Sequence, residues 1–141
     1  MSGVPDPPDV VVRRVLESCQ TWAVVGLSTS TRRAAYRVAK FLADHGKQVI
    51  PVHPKAETVH GEPGFARLSD IDVPVDCVDV FVRSELAGPI ADEAVSIGAR
   101  AVWFQLGVVD QEAYRRVTAA GLDMVMDRCP AIEWPRLGPA A

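Results

Sequence analysis

The sequence predicts an α/β domain built on a doubly wound sheet of five mainly parallel strands, with helices on both faces. Short, uniformly apolar runs alternate along the chain with stretches whose apolar residues recur at helical spacing, the pattern of parallel strands buried on both faces. The 141 residues suffice for one core without disulfides or metal. Hydrophobic residues make up 48% and charged residues 23%, an ordinary globular balance.

The elements follow in order. Pro5, Pro7 and Pro8 make residues 1–8 a mobile tail. Asp9 caps a helix running to Cys19, with Val11, Val12, Val15 and Leu16 as its apolar stripe. Residues 22–27, "WAVVGL", form the first strand. Ala35, Val38, Ala39 and Leu42 mark the second helix, stopped by Gly46. The second strand is "QVIPV", with Pro51 at its end because proline donates no ladder hydrogen bond. Residues 53–74 are rich in Gly, Pro and charge and read as a loop excursion with one short helix near Leu68.

"CVDVFV", residues 77–82, is the third strand. Pro89 suits the first turn of the next helix, which turns Ile90, Ala94 and Ile97 inward and ends before Gly98. "AVWFQL", residues 101–106, is the fourth strand, and Trp103 belongs to the core. Asp110 caps a helix over residues 111–120 that Gly121 ends, and "LDMVM", residues 122–126, is the fifth strand. The domain spans residues 9–137, followed by a short C-terminal tail, and this alternation implies right-handed crossovers and a parallel sheet.

Bulk properties narrow the function. A net charge of −3 gives no basic field for nucleic acid. Cys19, Cys77 and Cys129 are odd in number and far apart, which fits neither a disulfide framework nor a zinc site and points to a reducing cytoplasm. No apolar run is long enough to span a bilayer, and "MSGVPDPPDV" lacks the features of a signal peptide. No histidine has a partner at metal-ligand spacing, and neither a P-loop nor a G-x-S-x-G elbow is present.

In an open parallel sheet, ligands bind beyond the carboxyl ends of the strands, where strand order reverses. That rule selects "AVVGLSTSTRR", residues 23–33. Gly26 lets the backbone turn close to a ligand, and Ser28, Thr29, Ser30 and Thr31 bring hydroxyls beside the free N–H groups of the coming helix. Arg32, Arg33 and Arg37 add positive charge where a helix terminus is already positive, an arrangement that an anion would offset. The bland alternative turns these guanidinium groups into water.

At the end of the second strand, Val52, His53, Pro54 and Lys55 include no carboxylate for ribose hydroxyls, which fits NADP or coenzyme A better than NAD. A solvated Lys55 and a His53 serving only the turn are the alternative. Arg83 either reaches across the crevice or pairs with Glu85. Gln105 and Gly107 end the fourth strand, where glycine lets an extended ligand pass. Cys129, in "DRCP", is a half-buried structural thiol or, with its pKa lowered by Arg128, a group for exchange with a ligand thiol.

"AVVGLS", "VIPVHP", Gly61-Glu62, "VDCVDVFVRSE", "EAVSIGARAVWFQLGV" and "AGLDMVMDRCPAIEW" occur in an order that resembles the small stand-alone CoA-binding domain proteins, which are similar to the N-terminal domain of the succinyl-CoA synthetase α-subunit. The resemblance runs from Thr21 to Leu137. It implies a Rossmann-type fold in which Gly26 and Ser28 would meet the pyrophosphate, and the residues of the same turn add Leu27, Ser30, Arg32 and Arg33 as candidates. Val52 to Lys55 would lie by the adenosine, and Phe81, Val82, Arg83, Gln105 and Gly107 would line the pantetheine path. Tyr36 matches a family tyrosine, but the preceding Pro-Ser is replaced by Ala34 and Ala35, and an asparagine by His53. The further domains that perform the synthetase reaction are not in this sequence, so that reaction does not come with the fold.

The expectation is therefore a cytoplasmic domain that binds coenzyme A or an acyl-CoA in a non-catalytic carrier, sensor or regulatory role, with a protein partner or a second copy left open. The alternatives are an NADP-dependent oxidoreductase and an interaction module with a vestigial crevice.

Overall fold

A computed structural model describes residues 8–139. Its elements are α1 (Pro8–Ser18), β1 (Thr21–Val25), α2 (Ala34–Asp44), β2 (Gln48–Val52), a 3-10 turn (Leu68–Asp70), β3 (Cys77–Val80), α3 (Ser84–Ser96), β4 (Ala101–Phe104), α4 (Gln111–Ala119), β5 (Asp123–Val125) and α5 (Pro130–Leu137). The five strands form one sheet in the order β2-β1-β3-β4-β5, and every pairing is parallel. This is the doubly wound arrangement the alternating pattern implied.

The strands are mostly apolar, Asp79 of β3 being the buried exception, because alternate residues serve two cores. Trp22 and Val24 of β1, Cys77 of β3, and Ala101 and Trp103 of β4 face α1, α2 and α5. Ala23, Val25, Val78, Val80, Val102 and Phe104 face α3 and α4. Trp22 and Trp103 are fully buried with ring centroids 5.8 Å apart, so two of the largest side chains fill the first layer. Burial of this kind supplies the main driving force for folding.

Three local details differ from the expectations. Asp9 does not cap α1, which begins at Pro8. It lies in the first turn and meets Arg136 at 2.8 Å and Arg128 at 3.3 Å, tying α1 to α5 and lowering its carboxyl pKa, chiefly through the Arg136 hydrogen bond. Pro89 is not in the first turn of its helix: α3 starts at Ser84, and the ring sits in the interior, at the cost of one helical hydrogen bond. α5 is an additional helix beyond the expected elements; Pro130 occupies its start, where a missing N–H costs nothing. The predicted tail over residues 1–8 lies outside the described residues except for Pro8, as do positions 140 and 141.

The cap expected at Asp110 is present, its carboxylate accepting the Ala113 N–H at 3.0 Å. Asp110→Ala is expected to cost about 1 kcal/mol, read as a lower midpoint of chemical unfolding with an unchanged denaturant slope.

Candidate functional site: a crevice at the strand switch point

Strand order reverses between β1 and β3. From β1 the chain crosses to β2 on one side, and from β3 to β4 on the other. Beyond their carboxyl ends the pairing continues for one residue on each strand. Gly26 N–H donates to Val52 O at 2.8 Å, and Phe81 N–H to Val25 O at 2.9 Å. Gly26 has φ +99°, and a Cβ there would lie 3.2 Å from the Phe81 Cβ and 3.3 Å from its carbonyl oxygen. Glycine thus serves both the turn and the close approach of two backbones.

A cavity of about 850 Å³ opens above this point. That volume is in the range of small-molecule and cofactor sites. Its floor includes Gly26, Val52, Phe81 and Val82, and Leu86 and Ile90 of α3 form an apolar wall. Ser28, Ser30 and Arg33 stand on one side, with His53, Pro54, Lys55 and Arg67 on another and Arg83 by α3. Four of the lining residues are Lys or Arg, against two carboxylates, Glu57 and Glu93. Arg67 and Arg83 have acidic neighbours at 3.5 Å (Asp70) and 3.9 Å (Glu85), long exposed contacts that do little to neutralise them.

α2 begins at this cavity without a side-chain cap. Arg33 takes the N-cap position in extended conformation, and its side chain makes no capping hydrogen bond. The preceding loop is partly self-satisfied: Ser30 N–H donates to Ser28 Oγ at 3.2 Å, and Arg33 N–H to Ser30 O at 3.2 Å. An uncapped helix start beside cations is suited to an anion.

Not every candidate reaches the cavity. Leu27 is fully buried under the turn. Arg32 is exposed and Tyr36 half-buried, and neither lines the cavity. Tyr36 instead packs on His60, with ring centroids 4.3 Å apart, while its carbonyl lies 2.9 Å from His60 Nε2. Gln105 and Gly107 sit further along the strand ends. Gly107 is held by Asp127, whose Oδ1 accepts its N–H at 2.8 Å, and by Ser84, whose hydroxyl donates to its carbonyl at 3.2 Å. Gln105 is buried, and its Oε1 has no hydrogen-bond partner among the described residues. Cys129 is buried in the core, and Arg128 pairs with Asp9 at 3.3 Å and Glu133 at 3.0 Å.

The sequence missed Glu57. No carboxylate ends β2, yet Glu57 enters the cavity from the loop beyond it. Its oxygens lie 3.4 Å from the Thr29 nitrogen and 3.3 Å from the Thr29 hydroxyl. Ala56, immediately before it, has φ +49°, an uncommon conformation for a residue with a Cβ. No sequence signal announces that geometry.

The topology and its crevice define a doubly wound α/β domain of Rossmann type. A family described as "CoA binding domain" matches residues 20–135, and this chain belongs to it. YneT of Bacillus subtilis is 35% identical over 124 residues, covering 88% of this chain and 92% of that protein. A hypothetical protein from Pyrococcus horikoshii superposes with a TM-score of 0.88 at 34% identity, covering 97% of this chain and 99% of that one. An acetyl-coenzyme A synthetase from Ca. Korarchaeum cryptofilum shares the fold at a TM-score of 0.70 and 19% identity. The match covers 82% of this chain and 28% of that one. Among the described residues no helix is long and apolar enough to cross a membrane, and no cluster of His, Cys, Asp or Glu could hold a metal ion.

Proposed function

We propose that the crevice binds coenzyme A or an acyl-CoA in a carrier, sensor or regulatory role, without catalysing a reaction itself. The observation that carries the reading is the cavity at the switch point, where the Gly26 turn and the uncapped start of α2 meet Arg33 and Lys55. Family membership supports the same ligand. The pyrophosphate lies on the Gly26–Ser30 side, the 3′-phosphorylated adenosine by His53 and Lys55, and the pantetheine along Phe81 to Arg83 toward Gly107. Leu86 and Ile90 give the ligand's apolar portion a dry wall. A cytoplasmic location follows from this ligand and from three buried free thiols.

Thermal unfolding with coenzyme A, acetyl-CoA, NAD and NADP in parallel tests the reading. At a hundred times its dissociation constant a ligand adds about 2.7 kcal/mol, which raises the midpoint by several degrees. A shift with coenzyme A or its thioester is expected. A shift with NADP alone favours the oxidoreductase, and no shift with any of the four favours the interaction module with a vestigial crevice.

The geometry also divides the two arginines at the turn. Arg33 lines the cavity and Arg32 does not. Arg33→Ala is expected to weaken coenzyme A binding about tenfold, the equivalent of ~1.4 kcal/mol for one charged contact. Arg32→Ala should change affinity less than about twofold. Isothermal titration of the two variants reads the difference, and equal effects would remove Arg33 from the site.

A further inference from the structure

The loop after β2 is built to deliver one acid into the turn after β1. It is pinned at its start and end: His53 N–H donates to Phe65 O at 3.0 Å, and Phe65 N–H to Pro51 O at 2.9 Å. In the middle, Ala56 N–H donates to His53 O at 2.8 Å, and His60 packs against Tyr36 of α2. Gly64 backs directly onto the Glu57 backbone, where a Cβ would fall 2.2 Å from the Glu57 carbonyl oxygen. Two residues of this loop, Ala56 at φ +49° and His60 at φ +53°, hold left-handed conformations without being glycine. Local strain of this kind persists where the surrounding structure over-determines it, and it concentrates at ligand sites.

The outcome is a carboxylate against the Thr29 N–H and hydroxyl, in a cavity otherwise richer in cations. Those two donors stand in the turn where a phosphate would be received. A carboxylate and a phosphate oxygen seek the same donors, and two anions at this separation repel. We propose that Glu57 is a specificity-determining internal anion, which occupies the Thr29 donors in the empty protein and must be displaced when the diphosphate of a ligand enters. The proposal rests on the crevice being an anion site, as argued above. Glu57 thereby raises the threshold for anions, so that a small phosphate held by the turn alone is rejected. A ligand with further contacts along the cavity has the binding energy to displace the side chain. Discrimination arises from a repulsive element as well as from attractive ones.

The test compares the wild type with Glu57→Gln, which removes the charge and keeps an acceptor, and Glu57→Ala, which removes both. The probes are inorganic pyrophosphate and coenzyme A, titrated separately at fixed ionic strength. Glu57 is half-buried and its tight contact is made by its backbone, so both variants should keep the wild-type unfolding midpoint. Pyrophosphate should bind each variant about tenfold more tightly than the wild type, and coenzyme A should gain by a smaller factor. Hydrogen exchange at the Thr29 amide should accelerate in Glu57→Ala without ligand, because its acceptor is gone. Unchanged or weaker pyrophosphate binding in both variants overturns the proposal, weaker binding meaning that the carboxylate contacts the ligand directly. The two readings fail separately. Coenzyme A that binds the wild type while neither anion gains in the variants sinks the role of Glu57 alone. Pyrophosphate that gains in the variants while coenzyme A binds none of the three proteins sinks the proposed ligand alone.

Discussion

Gly26→Ala is expected to weaken coenzyme A binding more than about tenfold and to lower the thermal midpoint by several degrees, whereas Gly98→Ala lowers the midpoint alone. Both glycines have positive φ, +99° and +80°, so each alanine pays for a backbone conformation that L-residues avoid, about 1–3 kcal/mol. At roughly 3 °C per kcal/mol in a domain of this size, that is a shift of about 3–9 °C. The surroundings separate the two sites. Gly98 follows α3 and has nothing within 4 Å of a built Cβ, while a Cβ at Gly26 meets Phe81 at 3.2 Å. The neighbour that must yield is partly backbone, the Phe81 carbonyl, and it lies on the floor of the cavity. The damage therefore reaches the place where a ligand would rest. Equal losses of affinity in the two variants, measured below their melting temperatures, would show that the switch-point crevice is not the binding site.

The alternation of apolar runs with helical patterns was legible because a parallel sheet with two covered faces leaves its strands no polar side to show. The expected bounds of β2 are the observed ones, Gln48–Val52. The other strands were read too long at their carboxyl ends: Phe81, Val82, Gln105 and Leu106 continue the apolar or strand-like pattern past the last paired residues. Of these, Phe81 and Val82 leave the ladder to line the crevice, while Gln105 and Leu106 lie outside it. α5 escaped because its two prolines carry the local signal, while its reason for forming is tertiary. Its Leu137 and Trp134 pack on the core of α1 and α2, and Arg136 and Glu133 form a charged network with Asp9 and Arg128.

The candidate site was legible where it depends on the sheet and illegible where it depends on a long loop. Gly26, Val52 and Phe81 converge because strand register places Val25 beside both Val52 and Val80. Leu27 and Tyr36, by contrast, belong to the right segments but turn away, Leu27 into the core and Tyr36 toward His60. Leu27 stands in an irregular turn, which has no period from which to read side-chain direction, and Tyr36, in the first turn of α2, is drawn aside by a loop residue 24 positions away. Glu57 is the extreme case, brought to Thr29 across 28 positions by a loop whose unusual dihedrals fall on alanine and histidine.

Asp79→Asn is expected to flatten the pH dependence of stability and to leave the protein more stable than the wild type at neutral pH. Asp79 lies in the middle of β3, in register with Val24 on one side and Trp103 on the other. It is fully buried, and neither carboxyl oxygen has a hydrogen-bond partner among the described residues. Burial pushes its pKa well above the ordinary carboxylate range, because it takes the charged form out of bulk solvent with no hydrogen-bond partner among the described residues. Below about pH 4 the acid is protonated in the folded and the unfolded chain, and titration of the group imposes no penalty. As pH rises, the unfolded chain releases its proton while the folded chain retains it, so stability falls by up to about 1.4 kcal/mol per pH unit until the folded-state pKa is reached. Asparagine cannot titrate, so the difference between variant and wild type should be smallest near pH 4 and should widen toward pH 7. Groups that shift in the opposite direction, such as Asp9, are present in both proteins and cancel in that difference. Parallel curves of unfolding free energy against pH would mean that Asp79 gains a partner in solution. The flanking positions of the ladder oppose that, since Val24 has no polar side-chain atom and the Trp103 indole N–H is already given to the Arg128 carbonyl at 2.7 Å.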